Sequence, residues 1–184
     1  MSRATTTARA LTSSVASSAV LHRRRPLVFL DIDGVLNRTA TAKQIIMEED
    51  KVRLLARALE RADADVVLST YWRAFESYIA YALERQGVRA TRVVGRTSGE
   101  PHLMDAAAHD ARVSERRVEE IAGYLRTTYG EDESTWPRFA IVDDKAVVPE
   151  GHAWYGAFVR TVHDEGLTEA HAERLSEILS VREA

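Results

Sequence analysis

The chain has 184 residues, of which 45% are hydrophobic and 29% charged, and it contains no cysteine. This length suits one globular domain, the apolar content excludes wholesale disorder, and the lack of cysteine excludes disulfides, thiolate zinc sites and cysteine nucleophiles. The formal net charge is −3, but residues 1–25 carry five arginines and no acid, so the rest of the chain, with 20 basic and 28 acidic residues, has a net charge of −8. An acidic body argues against a broad nucleic-acid-binding surface and restricts any such contact to a local basic patch.

Residues 1–25 are predicted to form a flexible or targeting tail, and residues 26–184 a single domain. The tail is rich in Ser, Thr, Ala and Arg, which is typical of a solvated extension and also of a mitochondrial or chloroplast transit peptide. No segment approaches the ~20 apolar residues of a membrane span, so we expect no membrane partner. The expected location is the cytoplasm, or a mitochondrion or chloroplast if the tail is a transit peptide.

From residue 27 onwards, short apolar runs alternate with helical patterns. A continuous apolar run indicates a strand buried on both faces, and apolar residues at i, i+3, i+4 and i+7 indicate a helix. In chain order the predicted elements are a strand at 27–30, a helix with Val52, Leu55, Ala56 and Leu59, a strand at 65–68, a helix with Phe75, Tyr78, Ile79, Ala82 and Leu83 that Gly87 stops, a strand at 92–94, a helix with Val118, Ile121, Ala122 and Leu125, strands at 139–142 and 158–159, and a helix with Leu175, Ile178 and Leu179.

This alternation predicts an α/β fold, a Rossmann-like three-layer sandwich with a central, mainly parallel sheet. Residues 37–52 leave room only for a turn and a small hairpin flap, and the loop at 95–112 is too short for a large cap domain. In open α/β sheets, ligands bind at the carboxyl ends of the strands. Three apolar runs are followed there by polar pairs: Asp31 and Asp33, Ser69 and Thr70, Asp143 and Asp144.

These residue types suit phosphoryl transfer. A carboxylate such as Asp31 can attack phosphorus and form an aspartyl-phosphate, and a second one two residues on, Asp33, can protonate the leaving oxygen and then deprotonate water. With Asp143 and Asp144 the site would be strongly anionic and need a cation, and an all-oxygen ligand set favours Mg²⁺ over zinc. The hydroxyl of Ser69 and a cation from the third helix would hold the phosphoryl oxygens.

The motifs also resemble a known family. FLDIDGVLN (29–37), VVLSTYWR (66–73) and FAIVDDK (139–145) resemble motifs one, two and four of the haloacid dehalogenase-like (HAD) superfamily. With RRVEEI and RTVHDEGLTEA, the set is most similar to the HAD domains of Swiss-army-knife RNA repair proteins, which also occur as stand-alone chains. The similarity extends in sequence order over roughly 26–179 and implies a HAD-like phosphatase.

The resemblance also implies a role for each motif residue. Asp31 resembles the nucleophile and metal ligand, and Asp33 the general acid/base whose backbone carbonyl also binds metal. Ser69 stands where the phosphate-binding hydroxyl is expected, with Thr70 as the alternative. Asp143 and Asp144 resemble the acidic pair that holds Mg²⁺, of which Asp144 is favoured for direct coordination.

The third motif is less well defined. The family has a Lys or Arg near the start of the helix before motif four, and Arg117 fits best, with Arg116 one position away. Arg96, in the stretch 95–97, is a further candidate substrate contact. Arg73 suits either a substrate contact or a structural ion pair, whereas Tyr71 and Trp72 are interpreted as packing residues.

The acid at the second position after the nucleophile favours a phosphatase over a dehalogenase or an ion-pump ATPase. The leading hypothesis is a Mg²⁺-dependent phosphomonoesterase, with RNA or DNA 3′-phosphate ends as the substrate class that the resemblance implies. A small-metabolite phosphatase acting on nucleotides or sugar phosphates is the alternative. A non-catalytic HAD-like module that binds a partner is the rival from another class, although Asp31, Asp33, Asp143 and Asp144 are all intact.

Overall fold

The computed structural model describes residues 24–39, 43–99 and 106–180. Strands and helices alternate within these ranges, as the sequence predicts. The elements are β1 (Leu27–Leu30), α1 (Glu49–Ala62), β2 (Asp65–Leu68), α2 (Glu76–Glu84), β3 (Val93–Arg96), α3 (Ala106–Tyr129), β4 (Phe139–Asp143), β5 (Phe158–Arg160) and α4 (Glu169–Ser180), with a 3-10 turn at Tyr71–Phe75 between β2 and α2.

The five strands form one sheet in the order β3-β2-β1-β4-β5, and every neighbouring pair is parallel. The α/β, Rossmann-like prediction is therefore confirmed. In the centre of the sheet, Leu30 is in register with Leu68 of β2 and with Val142 of β4. The residues that follow these three strands consequently emerge side by side at one edge.

Alternate residues of the strands enter two separate cores. Val28 and Leu30 of β1 belong to the larger core, which packs against α1, α2 and α4. Leu27 and Phe29 belong to the smaller core, which packs against Ile121 and other residues of α3. Since β1 is buried on both faces, its sequence is continuously apolar rather than alternating.

Two predicted elements need correction in detail. The third strand begins at Val93, because Arg92 precedes it and turns its guanidinium to Asp63, 2.7 Å away, and to the carbonyl of Ala64. The apolar stripe predicted for α2 is too wide: Ile79 and Leu83 are buried, whereas Tyr78 is 55% exposed. A nine-residue helix presents little more than one i, i+4 pair to the sheet.

The two loops that bound the predicted site also differ from the prediction. The described residues between 37 and 48 contain no strand, so the predicted hairpin flap is not formed by them, and α1 begins at Glu49. The predicted loop at 95–112 is shorter, since β3 continues to Arg96 and α3 begins at Ala106. Alanine has the highest intrinsic helix propensity, so the run at 106–108 favours this earlier start of the helix.

The prediction of a tail at residues 1–25 falls almost entirely outside the described residues. Its last two arginines are described and contact the domain. The Arg24 guanidinium donates to the carbonyl of Thr135 and lies 5.0 Å from the ring centroid of Tyr129, and Arg25 forms ion pairs with Asp63 and Asp65. No helix in the described part of the chain is long and apolar enough to cross a membrane.

Candidate functional site

Three strand ends deliver the predicted polar residues to one place. Asp31 follows β1, Ser69 and Thr70 follow β2, and Asp143 and Asp144 end and follow β4. The parallel register holds these segments together, with the Asp31 amide donating to the Val142 carbonyl (3.0 Å) and the Ser69 amide to the Leu30 carbonyl (2.8 Å). All five residues are buried.

Three carboxylates form a compact cluster. One oxygen from each of Asp31, Asp143 and Asp144 lies within 4.8 Å of the other two. Three carboxylate oxygens at such distances suit a hard divalent cation such as Mg²⁺, which prefers oxygen ligands. The side chain of Asp33 is not among the ligand groups found in the described residues, which agrees with a role for its backbone carbonyl rather than its carboxylate.

The cluster strongly favours neutralisation of its charge. Burial raises the pKa of Asp31, and the Arg117 guanidinium and the Thr70 hydroxyl oppose that rise. Burial and then the charge of Asp31 raise the pKa of Asp143 well above its usual range, and the same two causes raise the pKa of Asp144 to about 6. A bound cation would remove this penalty, because it favours the ionised carboxylates.

Arg117 is the cation that α3 contributes to the cluster. Its Nε lies 3.4 Å from Oδ2 of Asp143, and its Nη1 donates to the carbonyl of Ser69 and lies 3.3 Å from the Ser69 hydroxyl. The side chain is 3% exposed, whereas Arg116 is on the exposed side of the helix. Of the two arginines that the sequence offered for the third motif, the structure therefore places Arg117 in the site.

The turn after β1 brings Gly34 against the cluster. Gly34 has a φ of +69°, and a Cβ there would lie 2.7 Å from the Asp144 side chain. The hydroxyl of Thr161, just after β5, donates to the Gly34 carbonyl at 2.7 Å. Sequence reasoning assigned no role to Thr161, since a lone threonine after a short strand gives no signal.

Asp33 is held on both of its carboxylate oxygens. Asn37 Nδ2 donates to Oδ1 at 2.9 Å, and the indole Nε1–H of Trp72 donates to Oδ2 at 3.0 Å. The interpretation of Trp72 as a packing residue is therefore incomplete: the ring packs against the larger core, but its nitrogen contacts a predicted catalytic residue. The sequence contained no signal for this contact, which joins segments 39 residues apart.

The two hydroxyls after β2 have different partners. The Thr70 hydroxyl bonds to the carboxylate of Asp31 and also accepts the amide of Trp72 at 3.3 Å. The Ser69 hydroxyl lies beside the Arg117 guanidinium instead. Ser69 and Arg117 thus lie together, while Thr70 contacts Asp31.

Arg73 and Arg96 lie further out. The Arg73 guanidinium donates to both oxygens of Glu120 in α3, at 2.6 and 3.2 Å, and to the Thr97 hydroxyl at 3.2 Å. Arg96 is half exposed, donates to the Arg73 carbonyl at 3.0 Å and lies 3.6 Å from Glu76. Of the two readings of Arg73, the structural ion pair is the one that the structure displays.

Basic residues also flank the cluster on the β5 side, where none was predicted. Arg160 at the end of β5 donates its Nε–H to the Asp144 carbonyl at 3.3 Å. Lys145 and His163 are close enough to Asp144 for their charges to lower its pKa, against the larger effect of burial. Arg160 and Lys145 therefore place positive charge on this side of the cluster.

The comparisons with known proteins agree with this geometry. Residues 27–172 match the family described as the HAD domain in Swiss Army Knife RNA repair proteins. The match covers most of the chain and contains every residue of the carboxylate cluster. No curated protein and no solved structure matches the chain.

Proposed function

The chain belongs to the family of HAD domains found in Swiss Army Knife RNA repair proteins, and from that premise we propose that it is a Mg²⁺-dependent phosphomonoesterase. The observation that carries the proposal is the buried cluster of Asp31, Asp143 and Asp144, with Arg117 beside it. Buried charges of this density, with raised pKa values, are far more common at functional sites than elsewhere.

In the proposed reaction, Asp31 supplies the nucleophile. A carboxylate oxygen of Asp31 bonds to phosphorus while the bond from phosphorus to the leaving oxygen breaks, and the proton of the Asp33 carboxyl passes to that oxygen. Asp33 then takes a proton from water as the water oxygen bonds to phosphorus. The bond between phosphorus and Asp31 breaks, which releases inorganic phosphate and restores the carboxylate.

The other residues of the site bind and orient. Asp31, Asp143 and Asp144 offer the oxygens that would hold Mg²⁺, and the fit rests on their donor chemistry and their separation. When bound, the ion supplies positive charge that offsets the repulsion between an anionic substrate and the carboxylates. Ser69 and Arg117 would hold phosphoryl oxygens, and Thr70 would fix the rotamer of Asp31.

For the substrate we propose the phosphorylated end of a nucleic acid, such as a 3′-phosphate. The described residues include no large cap domain over the carboxylate cluster, which suits a substrate longer than a small metabolite. The exposed Arg96 and Arg160 lie on either side of that cluster, where they could contact further phosphates. Such contacts are screened by salt.

Release of phosphate from p-nitrophenyl phosphate, with Mg²⁺ and with EDTA, tests the reaction. We expect Mg²⁺-dependent turnover by the wild type and none by Asp31→Asn, whose amide is a poor nucleophile on a nearly isosteric side chain. Circular dichroism should show that this variant is folded. Substantial turnover by Asp31→Asn in saturating Mg²⁺ would exclude the covalent mechanism, and no turnover by the wild type on any phosphomonoester would favour a non-catalytic module.

A second assay tests the substrate class. A 3′-phosphorylated oligonucleotide should have a higher kcat/KM than the matching mononucleotide, and the difference should shrink as the salt concentration rises. A panel of nucleotides, sugar phosphates and 5′-phosphorylated oligonucleotides provides the comparison. A sharp preference for one sugar phosphate, or equal rates on oligonucleotide and mononucleotide at low salt, would identify a small-metabolite phosphatase.

A further inference from the structure

The immediate surroundings of Asp33 differ from those of the carboxylate cluster. The three clustered acids lie close to each other, and Arg117 pairs with Asp143 among them, whereas the two oxygens of Asp33 accept hydrogen bonds from the neutral donors Asn37 Nδ2 and Trp72 Nε1. The two donors come from different segments of the chain, one from the turn after β1 and the other from the 3-10 turn after β2. Asp33 is thus held between two segments of the chain.

The indole of Trp72 is itself held in place. The Trp72 amide donates to the Thr70 hydroxyl at 3.3 Å, which caps the 3-10 turn. Its ring makes an edge contact with Tyr71, at 5.2 Å between centroids, and a tilted contact with Phe75 at 6.3 Å. It also packs against the larger core. A ring with these contacts presents its N–H in a fixed direction.

Asn37 is equally constrained. Its Oδ1 accepts the amides of Gly34 and Thr39, at 3.0 and 3.1 Å, and its Nδ2 donates to the carbonyl of Ile46 as well as to Asp33. The residue is 1% exposed, so these four bonds use its whole hydrogen-bonding capacity. Asn37 shapes the turn itself, which makes Trp72 the better residue for isolating the effect on Asp33.

We propose that Trp72 is a positioning residue for the proton transfer at Asp33. The inference rests on the proposed function, because it concerns the step in which Asp33 gives its proton to the leaving oxygen. A carboxylate oxygen has two lone pairs, and the indole N–H takes only one of those on Oδ2. The bond therefore fixes the orientation of the carboxyl group from which the proton is transferred.

A comparison of substrates with poor and with good leaving groups distinguishes this role of Trp72 from a purely structural one. An alkoxide is a poor leaving group and needs a proton as its bond to phosphorus breaks, whereas p-nitrophenolate leaves without much help. A change that disorders only Asp33 should therefore slow the hydrolysis of alkyl phosphates and leave the hydrolysis of p-nitrophenyl phosphate nearly unchanged. A change that loosens the fold or the carboxylate cluster should slow both substrates alike.

Trp72→Phe is the variant to test, since it keeps an aromatic ring and removes the N–H donor together with part of the ring volume. kcat/KM is measured in Mg²⁺ on p-nitrophenyl phosphate and on an alkyl phosphate, either glycerol 2-phosphate or a 3′-phosphorylated dinucleotide, whichever the wild type turns over faster. Trp154→Phe is the matched control, because Trp154 packs against Phe139 in the smaller core, away from Asp33. Asp33→Asn and the double variant Asp33→Asn with Trp72→Phe complete a double-mutant cycle.

We expect Trp72→Phe to lower kcat/KM on the alkyl phosphate by about 10- to 100-fold, the usual range for a lost hydrogen bond to a charged group, and on p-nitrophenyl phosphate by less than about threefold. Trp154→Phe should leave the ratio of the two rates unchanged. In the Asp33→Asn background, Trp72→Phe should have no further effect on the alkyl substrate, because it acts through Asp33.

Three results would overturn the proposal while the phosphatase assignment stands. These are an equal loss on both substrates, no loss or a gain on the alkyl phosphate, and a full additional loss in the Asp33→Asn background. A wild type that turns over p-nitrophenyl phosphate but no alkyl phosphate would also overturn it, since Asp33 would then not assist the leaving group. A wild type without any Mg²⁺-dependent turnover would instead refute the proposed function, and with it this inference.

Discussion

At the scale of a single residue, Gly34 is the point where the backbone comes against the carboxylate cluster. Its positive φ is a conformation that side chains with a Cβ adopt at a cost, and the position of a Cβ there is already occupied by Asp144. Both conditions apply at the same residue. A substitution at Gly34 therefore disturbs the folded chain and the geometry of the carboxylates together, and the two effects can be separated experimentally.

We expect Gly34→Ala to lower the free energy of unfolding by about 1–3 kcal/mol and to weaken Mg²⁺ binding, because Asp144 must move away from the new methyl group. Gly87→Ala is the matched control. Gly87 has a φ of +103° but nothing within 4 Å of its Cβ position, so this variant should lose stability and keep its affinity for Mg²⁺. Calorimetric titration of Mg²⁺ and denaturant unfolding measure the two quantities. Normal Mg²⁺ affinity in Gly34→Ala would contradict the expected displacement.

The raised pKa of Asp144 makes the stability of the metal-free protein depend on pH. Its pKa is about 6 in the folded chain and near 3.8 in the unfolded chain, so between these values the folded state binds more protons. The free energy of unfolding in EDTA should therefore fall as the pH rises from about 4 to 7, by on the order of 2 kcal/mol from Asp144. Burial also raises the pKa values of Asp31 and Asp143, which act in the same direction.

Denaturant unfolding of the wild type and of Asp144→Asn at several pH values measures this contribution. Asp144→Asn should show the smaller fall in stability, since its amide does not titrate. Saturating Mg²⁺ should stabilise the wild type more at pH 7 than at pH 5, because protons compete for the same oxygens. Identical pH dependence of the two proteins in EDTA would show that Asp144 is not the titrating group.

At the scale of elements, the ion pair of Arg73 and Glu120 links the 3-10 turn after β2 to α3. Glu120 lies one helical turn beyond Arg117, so the pair fixes the part of α3 that delivers Arg117 to the cluster. Both side chains are largely buried, at 12% and 17% exposure. Removing one partner would leave the other charge poorly solvated, which costs more than an exposed pair would.

We expect Arg73→Met and Glu120→Gln to have similar effects, a loss of roughly 1–4 kcal/mol in stability and a reduced kcat, because each removes the same link. The double variant should be less impaired than the sum of the two single variants. Thermal unfolding and steady-state kinetics on p-nitrophenyl phosphate provide the data. If Arg73 contacted the substrate instead, Arg73→Met would raise KM strongly and Glu120→Gln would not.

The elements were more predictable than the contacts between them. β1, β2 and β4 could be predicted because continuous apolar runs have one simple explanation, burial on both faces, and the polar residues after them follow from the parallel arrangement. Arg117 could be assigned only by its position before motif four. The contact of Trp72 with Asp33 could not be predicted, because an indole that packs and an indole that also donates a hydrogen bond have the same sequence pattern.

The predicted width of the buried apolar stripe of α2 is wrong for a related reason. Aromatic residues at helical spacing indicate a helix, but the spacing does not reveal how many of them the neighbouring sheet can cover. Ile79 and Leu83 are covered, whereas Phe75 and Tyr78 are 47% and 55% exposed. The predicted start of α3 is likewise too late, because residues 106–112 lack large apolar residues at helical spacing, although alanine favours a helix.

At the scale of the whole molecule, the N-terminal region is predicted to be dispensable for catalysis, since no motif residue lies in it. Deletion of residues 1–23 retains the contacts of Arg24 with Thr135 and of Arg25 with Asp63. This truncated chain should keep kcat/KM on p-nitrophenyl phosphate within a few-fold of the full chain, because it retains every motif residue and both of these contacts. A folded truncation with a large loss of activity would show that the predicted domain boundary is wrong.

The order of the strands has a consequence for how the site arises during synthesis. The first carboxylate of the cluster belongs to residue 31 and the last to residue 144, and β1 and β4, which carry them, are neighbours in the centre of the sheet. A ribosome-bound chain that ends before β4 therefore lacks two of the three carboxylates, even when β1, β2 and β3 have already left the exit tunnel. The exposed edge of β1 also has no partner until β4 arrives, so the same event closes the centre of the sheet and assembles the carboxylates.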